Sequence, residues 1–292
     1  MYENLFFNPS GRLFEEPSSI LKQELRSPQT YNGIIAAIAS GASRLNEIAS
    51  KTGIETSQCS NMLTTLINLE IVKKEYPLPL PSVKSSTKTE VIPGNPSRKS
   101  IYRLSDFMFR FWYRFVLPDL SRISMGLGKT VCSEIFGKPQ MQNTPALSGR
   151  LETYTGQVFE ECSAQFLWRE ISRNLQPVRK TASAQKTPVP FMKHYSFKNL
   201  GRWWGTNPKE KKEEEIDLLA TNNDYALFGE CKWRTNYTGP DTLDDLIRKS
   251  ELFPHFTRKQ YILFSKSDFS MELKKIATQR KDTVLINLTD MF

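Results

Sequence analysis

The stretch that most restricts the fold is Glu213 to Trp233, EEEIDLLATNNDYALFGECKW. Two runs of strand-forming residues flank Asn222-Asn223, a pair that tolerates the positive φ of a tight turn, so a β-hairpin is predicted. A two-residue turn there sets Asp217 opposite Phe228 and makes Glu230 its diagonal neighbour, roughly 7–8 Å away. Strict alternation places Asp217, Glu230 and Lys232 on one face, with Glu215 beside them. Ile216, Leu218, Ala220, Tyr225, Leu227, Cys231 and Trp233 fall on the other. Two carboxylates and an ammonium above an apolar underside form a candidate divalent-metal site.

The 292 residues are enough for two domains, each with its own core. A formal charge of +9 favours a polyanionic partner, nucleic acid before membrane, although such a charge also serves solubility. The four cysteines form no C-x-x-C pair, which excludes a zinc knuckle and suggests no disulfide framework. With two histidines, a histidine-based metal cage is not expected either. The first residues lack a basic region followed by an apolar core, so no signal peptide is read. No apolar run approaches the ~20 residues needed to span a bilayer. A cytoplasmic protein is expected.

Along the chain, residues 1–27 are of mixed composition. From Ser27, Tyr31, Ile34, Ile35 and Ile38 recur at helical spacing, and Gly41 stops the pattern. A second helix is predicted from the N-cap candidate Ser43 to Lys51, ended by Gly53. A third starts near Thr56 or Ser57, with Cys59, Met62, Leu63, Leu66 and Leu69 on one face. Strands are predicted at 71–76 and 101–104. Three short helices followed by two strands around a basic loop make residues 28–104 a winged helix-turn-helix. In such a module Glu55, Thr56, Ser57, Gln58, Ser60 and Asn61 face the major groove. Lys73, Lys74, Lys84, Lys88 and Arg98 would bring a wing onto phosphates. The third helix carries no Arg or Lys, so a domain mediating protein contacts remains open.

Residues 105–148 begin with a dense aromatic helix, Phe107 to Phe115, predicted to pack between domains, and continue as a partly helical connector. Gly126-Leu127-Gly128-Lys129-Thr130 fails as a phosphate loop because Ile123 stands where the first glycine is needed. A helix is predicted from Gly149 to about Asn174, with Glu160 next to its apolar stripe. The segment 172–212 is basic, and Arg202 and Lys209 are candidate phosphate contacts. Strands at 201–205 and 260–264, a helix from Asp241 to Phe253, another from Met271 to Thr278 and a strand at 283–288 complete a mixed α/β order. Trp203, Trp204 and Trp233 are expected to pack in the core rather than stack on bases.

An acid in the first helix, an Asp on the second strand and Glu-x-Lys on the third resemble the PD-(D/E)xK nucleases, with a restriction-endonuclease-like αβββαβ core. Mapped by motif, the resemblance implies Glu160, Asp217, Glu230 and Lys232 as catalytic residues. It implies Mg²⁺ or Mn²⁺ held by Asp217, Glu230 and the Cys231 carbonyl, with Gln157 and Glu160 in outer-shell reach. Phe109 to Phe115, Gly201-Arg202-Trp203-Trp204 and Gly229-Glu230-Cys231-Lys232-Trp233 together resemble the archaeal and bacterial ATPases carrying a C-terminal DUF234 domain. In that family an AAA-type ATPase precedes a winged helix and then the nuclease-like part, here 149–292. These 292 residues hold no Walker motif, and residues 1–27 resemble the segment after the ATPase. The resemblance therefore implies a truncated, split or shortened member, with DNA and an ATPase in trans as expected partners. The functional expectation is Mg²⁺-dependent phosphodiester hydrolysis or, alternatively, a non-catalytic DNA-binding or partner-binding module.

Overall fold

The helical spacing around Ile34 and the alternating run around Asp217 fold into two different units. The computed structural model describes residues 2–78, 100–137, 145–175 and 197–292. One unit comprises the described residues of Met1–Tyr76 and Ser100–Leu151, the other those of Pro77–Lys99 and Glu152–Phe292.

In the first unit, α1 (Tyr2–Phe6) and α2 (Glu16–Glu24) precede α3 (Pro28–Ala39), α4 (Leu45–Thr52) and α5 (Thr56–Asn68). Pro28 opens α3, where its missing N–H is harmless, and Ile34, Ile35 and Ile38 are buried. The cap of α4 differs from expectation. Its acceptor is the Glu47 carboxylate, which takes the N–H groups of Ser43 at 2.9 Å and Arg44 at 3.1 Å, rather than the Ser43 hydroxyl. Gly53, at φ 69°, supplies the left-handed turn into α5. Cys59, Met62, Leu63 and Leu66 form the buried face of α5. Strands β1 (Val72–Glu75) and β2 (Ile101–Leu104) pair antiparallel. Lys84, Lys88 and Arg98 lie outside the described residues.

Most of the aromatic segment is core of this first unit: Phe109, Phe111, Trp112, Tyr113 and Phe115 are buried. It forms α6 (Phe107–Phe111), a π-helical turn at Trp112–Val116 and a 3-10 turn at Leu117–Asp119. Then come α7 (Leu120–Arg122), a second π turn at Ile123–Leu127 and α8 (Gly128–Phe136). Phe111 packs on Phe6 at 4.8 Å, and the Trp112 indole N–H donates to the Phe14 carbonyl at 2.7 Å. Phe6, Phe7 and Phe14 of the N-terminal segment thus pack on these aromatics. Gly128 is a contact residue: a Cβ there would stand 1.6 Å from the Phe7 carbonyl oxygen.

The second unit takes α9 (Pro145–Leu175) from Glu152 onward and continues as a five-stranded sheet. Its strands are β3 (Asn199–Asn207), β4 (Lys212–Thr221), β5 (Tyr225–Lys232), β6 (Arg258–Ser265) and β7 (Thr283–Asn287), in that spatial order. The β3–β4 and β4–β5 pairs are antiparallel. Helices α10 (Pro240–Ser250) and α11 (Met271–Gln279) connect the parallel pairs β5–β6 and β6–β7. The predicted order of helix, three strands, helix, strand, helix, strand is the observed one, and the class is mixed α/β. Both sheet faces are covered. Leu218, Ala220, Leu227, Ile262 and Phe264 pack with Phe159, Phe166 and Leu167 of α9. Leu219, Phe228 and Leu263 pack with Leu243 and Leu246 of α10 and Leu273 of α11. Two-sided burial explains why β6 reads as an unbroken apolar run.

Two details of the hairpin differ from the sequence reading. The turn is Asn223-Asp224, closed by the Asn222 N–H on the Tyr225 carbonyl at 3.0 Å, with the Asn222 amide on the Tyr225 hydroxyl at 2.7 Å. Leu218 therefore pairs with Gly229 and Leu219 with Phe228, a shift of two residues from the predicted register. An even shift leaves every side chain on its face. The second difference is a β-bulge. Gly201 pairs with Leu219 and Trp203 with Ile216, so Arg202 alone faces Asp217 and Leu218. Alternation breaks there, and Ile216 packs in the core under α10 instead of sharing a face with Leu218.

Candidate functional site

The bulge lies where β4 leaves β5. Strand β4 stays paired with β3 from Lys212 to Thr221 but with β5 only from Leu218 to Thr221. Asp217, Glu230, Cys231 and Lys232 sit where the two strands part. Asp217 replaces the lost ladder bond by accepting the Cys231 N–H on Oδ2 at 2.9 Å. The Lys232 carbonyl accepts from Lys266 N–H on the β6 side. Peptide groups alternate along a strand, so the Cys231 carbonyl points to the same side as its N–H, toward Asp217.

Charged groups converge on this gap from two helices. On the α10 side, Glu230 receives Lys232 Nζ on Oε1 at 2.6 Å and Lys249 Nζ on Oε2 at 3.4 Å. Lys249 also reaches Asp245 at 3.0 Å. On the α9 side, the Arg202 guanidinium bridges Glu160, at 3.1 Å, and Glu215. Burial opposes the Arg202 charge, but Glu160 and Glu215 outweigh it and raise its pKa. Lys249 follows the same pattern, with Glu230 and Asp245 outweighing burial. Asp217 lies between these two groups, and no ion pair to it occurs among the described residues. Burial, then the charges of Glu230 and Glu160, push its carboxyl up to about 8 against the pull of the Cys231 N–H. Glu160 and Glu215 thus share Arg202, and Glu230 takes Lys232 and Lys249, which leaves Asp217 as the carboxyl of the four with no cation against it.

Among the described residues, no three His, Cys, Asp or Glu side chains are grouped closely enough to hold a metal ion. The donors that fit a hard divalent cation are two carboxylates on neighbouring strands and a main-chain carbonyl beside them, all oxygen. The uncompensated Asp217 is the group that a cation would satisfy. Gln157 stands one helical turn before Glu160 on α9, half-buried.

The expected nucleic-acid contacts fare unequally. Thr56, Ser57, Gln58 and Asn61 are exposed on α5. Glu55, however, caps that helix by accepting the N–H groups of Ser57 at 2.9 Å and Gln58 at 3.2 Å, and the Ser57 hydroxyl as well. A carboxylate therefore occupies the helix end that would otherwise attract phosphate. Lys73 pairs with Glu75 at 2.8 Å, and Lys74 lies over the rings of Tyr76 and Tyr102. Lys209 is exposed in the β3–β4 turn, whereas Arg202 is committed to two carboxylates. Trp203 and Trp204 are buried, and Trp233 packs on Phe159 at 5.3 Å. Sequence reasoning missed Lys249. Its i,i+4 spacing from Asp245 marks a paired lysine but not its reach to Glu230.

Comparison with known proteins shows what these residues are similar to. The DUF234 family model, described as "Archaea bacterial proteins of unknown function", matches residues 112–242, a span containing Glu160, Asp217, Glu230 and Lys232. The uncharacterized protein MJECL04 of Methanocaldococcus jannaschii is 29% identical over 280 residues, covering 94% of this chain and 51% of the relative. The chain thus spans about half the length of that curated relative. Among solved structures, protein AF1548, of unknown function, is 20% identical over 35% of this chain and 54% of its own, with a TM-score of 0.27. Protein VC1899 from Vibrio cholerae is 11% identical over 97% of this chain and 55% of its own, with a TM-score of 0.30. The match over residues 112–242 is to the family that the motifs resemble.

Proposed function

We propose that the second unit is a restriction-endonuclease-like domain that hydrolyses phosphodiester bonds with a divalent metal. The observation that carries this reading is the parting of β4 from β5, which leaves Asp217, Glu230 and the Cys231 carbonyl beside one another with Lys232 next to them. Asp217, Glu230 and that carbonyl would hold Mg²⁺ or Mn²⁺. Such an ion, when bound, neutralises phosphate charge and lowers the pKa of a water on it. The Lys232 ammonium orients the attacking water and offsets charge growing on the phosphate. Glu160 and Gln157, on α9, would hold a water of the ion's outer shell. The exposed α5 residues Thr56, Ser57, Gln58 and Asn61 are the proposed DNA contacts of the winged helix. An AAA-type ATPase in trans is the partner that the family resemblance implies.

A second reading, a non-catalytic binding module, is favoured by one feature. Both oxygens of Glu230 are already engaged, by Lys232 and by Lys249. The test incubates the full chain with DNA and RNA in Mn²⁺, beside Asp217→Ala and Lys232→Ala. Cleavage by the wild type alone is expected. Cleavage that persists in both variants identifies a contaminant and removes the catalytic reading. Absence of cleavage, with binding that weakens steeply as salt rises, selects the binding module.

A further inference from the structure

On the α9 side of the sheet, three carboxylates stand around one guanidinium. Glu214 pairs with Arg248 of α10, and Ile216 packs in the core under α10. By alternation Glu215 and Asp217 turn to the opposite side, where Glu160 arrives from α9. Arg202 lies across from Asp217 at the β-bulge and bridges Glu160, at 3.1 Å, and Glu215. The three acids act on one another: burial first, then Glu230, Glu160 and Glu215 raise the Asp217 pKa.

Oxygen ligands gathered in this way suit a hard divalent ion, and Arg202 stands in its way for two reasons. Mg²⁺ draws its oxygens to about 2.1 Å from one centre. The guanidinium is instead a planar fork that seats Glu160 and Glu215 on separate nitrogens, Nη1 and Nη2. That spacing agrees with the lack, among the described residues, of three acids close enough to share a metal. The permanent positive charge of the guanidinium also repels an incoming cation. The place is within reach of solvent, since Glu215 is exposed and Arg202 only half-buried. The arginine, rather than the fold, is therefore what keeps an ion from the α9 side.

We propose that Arg202 takes the place of a second metal ion, so that the site between β4 and β5 binds one divalent cation and Glu160 reaches it only through water. That role rests on the metal-dependent reading of Asp217, Glu230 and the Cys231 carbonyl. Without the guanidinium, Glu160, Glu215 and Asp217 become a second site made of oxygens alone.

The test counts bound ions instead of turnover. The full chain is titrated with MnCl₂ by calorimetry, and free Mn²⁺ is followed by electron paramagnetic resonance. The wild type is expected to bind one ion and Arg202→Ala two. Arg202→Ala/Glu160→Gln should return to one, and Asp217→Asn, with the arginine intact, should lose the ion. Glu160→Gln alone should still bind one, because that carboxylate is held by the arginine and not by the metal. Should Arg202→Ala not fold, the counts for the wild type and Glu160→Gln decide the matter. Two ions in the wild type, one in a folded Arg202→Ala, or none in Glu160→Gln overturns the role of Arg202 and leaves the metal-dependent reading standing. No ion in the wild type overturns that reading and the role of Arg202 with it.

Discussion

Replacing Asp217 by Asn should stabilise the metal-free protein at neutral pH. The Asp217 carboxyl is buried and pushed up to about 8, against an ordinary value of 3.8. Between those two values the unfolded chain releases its proton while the folded chain keeps it. Rising pH therefore favours unfolding across that window, and the penalty is complete above the folded value. At pH 7 the proton is withheld over about three units from the ordinary value, which at about 1.36 kcal/mol each sets a ceiling of roughly 4 kcal/mol. Repulsion from Glu230 and Glu160 is part of that figure, and their lysine and arginine partners screen it, so about 2 kcal/mol is expected. Asn retains an oxygen for the Cys231 N–H, so the hydrogen bond at 2.9 Å survives the change. Urea unfolding of both proteins, from pH 4 to pH 8, measures the difference. The midpoint should rise by about 1 M at pH 7. The difference should nearly vanish at pH 4, where the folded carboxyl is protonated and the unfolded one only partly ionised. Mn²⁺ should then stabilise only the wild type. A variant no more stable than the wild type at pH 7, or equally favoured at pH 4 and pH 8, would refute the placement of an unmatched carboxylate at the bulge.

Arg248→Ala removes two contacts, at 2.8 and 3.2 Å, to the buried Glu214, leaving Lys212 at 3.4 Å. Loss of about 2 kcal/mol is expected in urea melts, below the usual cost of orphaning a buried charge because Lys212 remains. The Arg248 hydrogen bond is the main cause lowering the Glu214 pKa below 4.5. That contribution to stability is full above 4.5 and fades as pH falls through the depressed folded value, so the gap between the two proteins should narrow in acid. Gly128→Ala should lower stability by about 2 kcal/mol or more, since its Cβ meets the Phe7 carbonyl; an unchanged melting temperature would remove that contact. Glu55→Gln removes the negative charge capping α5 and should tighten DNA binding at low salt, measured by anisotropy. Unchanged affinity would exclude the start of α5 from the DNA contact.

The element order of the second unit was legible because each helix and strand there has a distinct apolar period. The site's faces were legible for a subtler reason: moving the turn from Asn222-Asn223 to Asn223-Asp224 shifts the register by an even number. The bulge was not legible. Both faces of β4 meet an apolar core, so Ile216 satisfies the pattern whichever way it points. The partners of the aromatic helix were not legible for a comparable reason. Phe6 and Phe14, which pack on Phe111 and Trp112, lie about a hundred residues upstream, and local periodicity carries no trace of that pairing. Lys249 reaches Glu230 across the packing of α10 on β5, which no local spacing encodes.

The lysines around Glu230 bear on whether the proposed site can admit a cation. Lys232 is held at 2.6 Å, whereas Lys249 is at 3.4 Å and has Asp245 at 3.0 Å as a second partner. Releasing Oε2 of Glu230 therefore leaves Lys249 still paired on its own helix. Glu160 is different: its partner Arg202 is half-buried and also serves Glu215, so withdrawing it would take a shared cation from two carboxylates. A cation entering between β4 and β5 would exchange with Lys249 and satisfy Asp217, while Arg202 kept Glu160 in place. The proposed site would then take one metal, held by Asp217 and Glu230. A second, drawing on Glu160, would have to break the arginine bridge first.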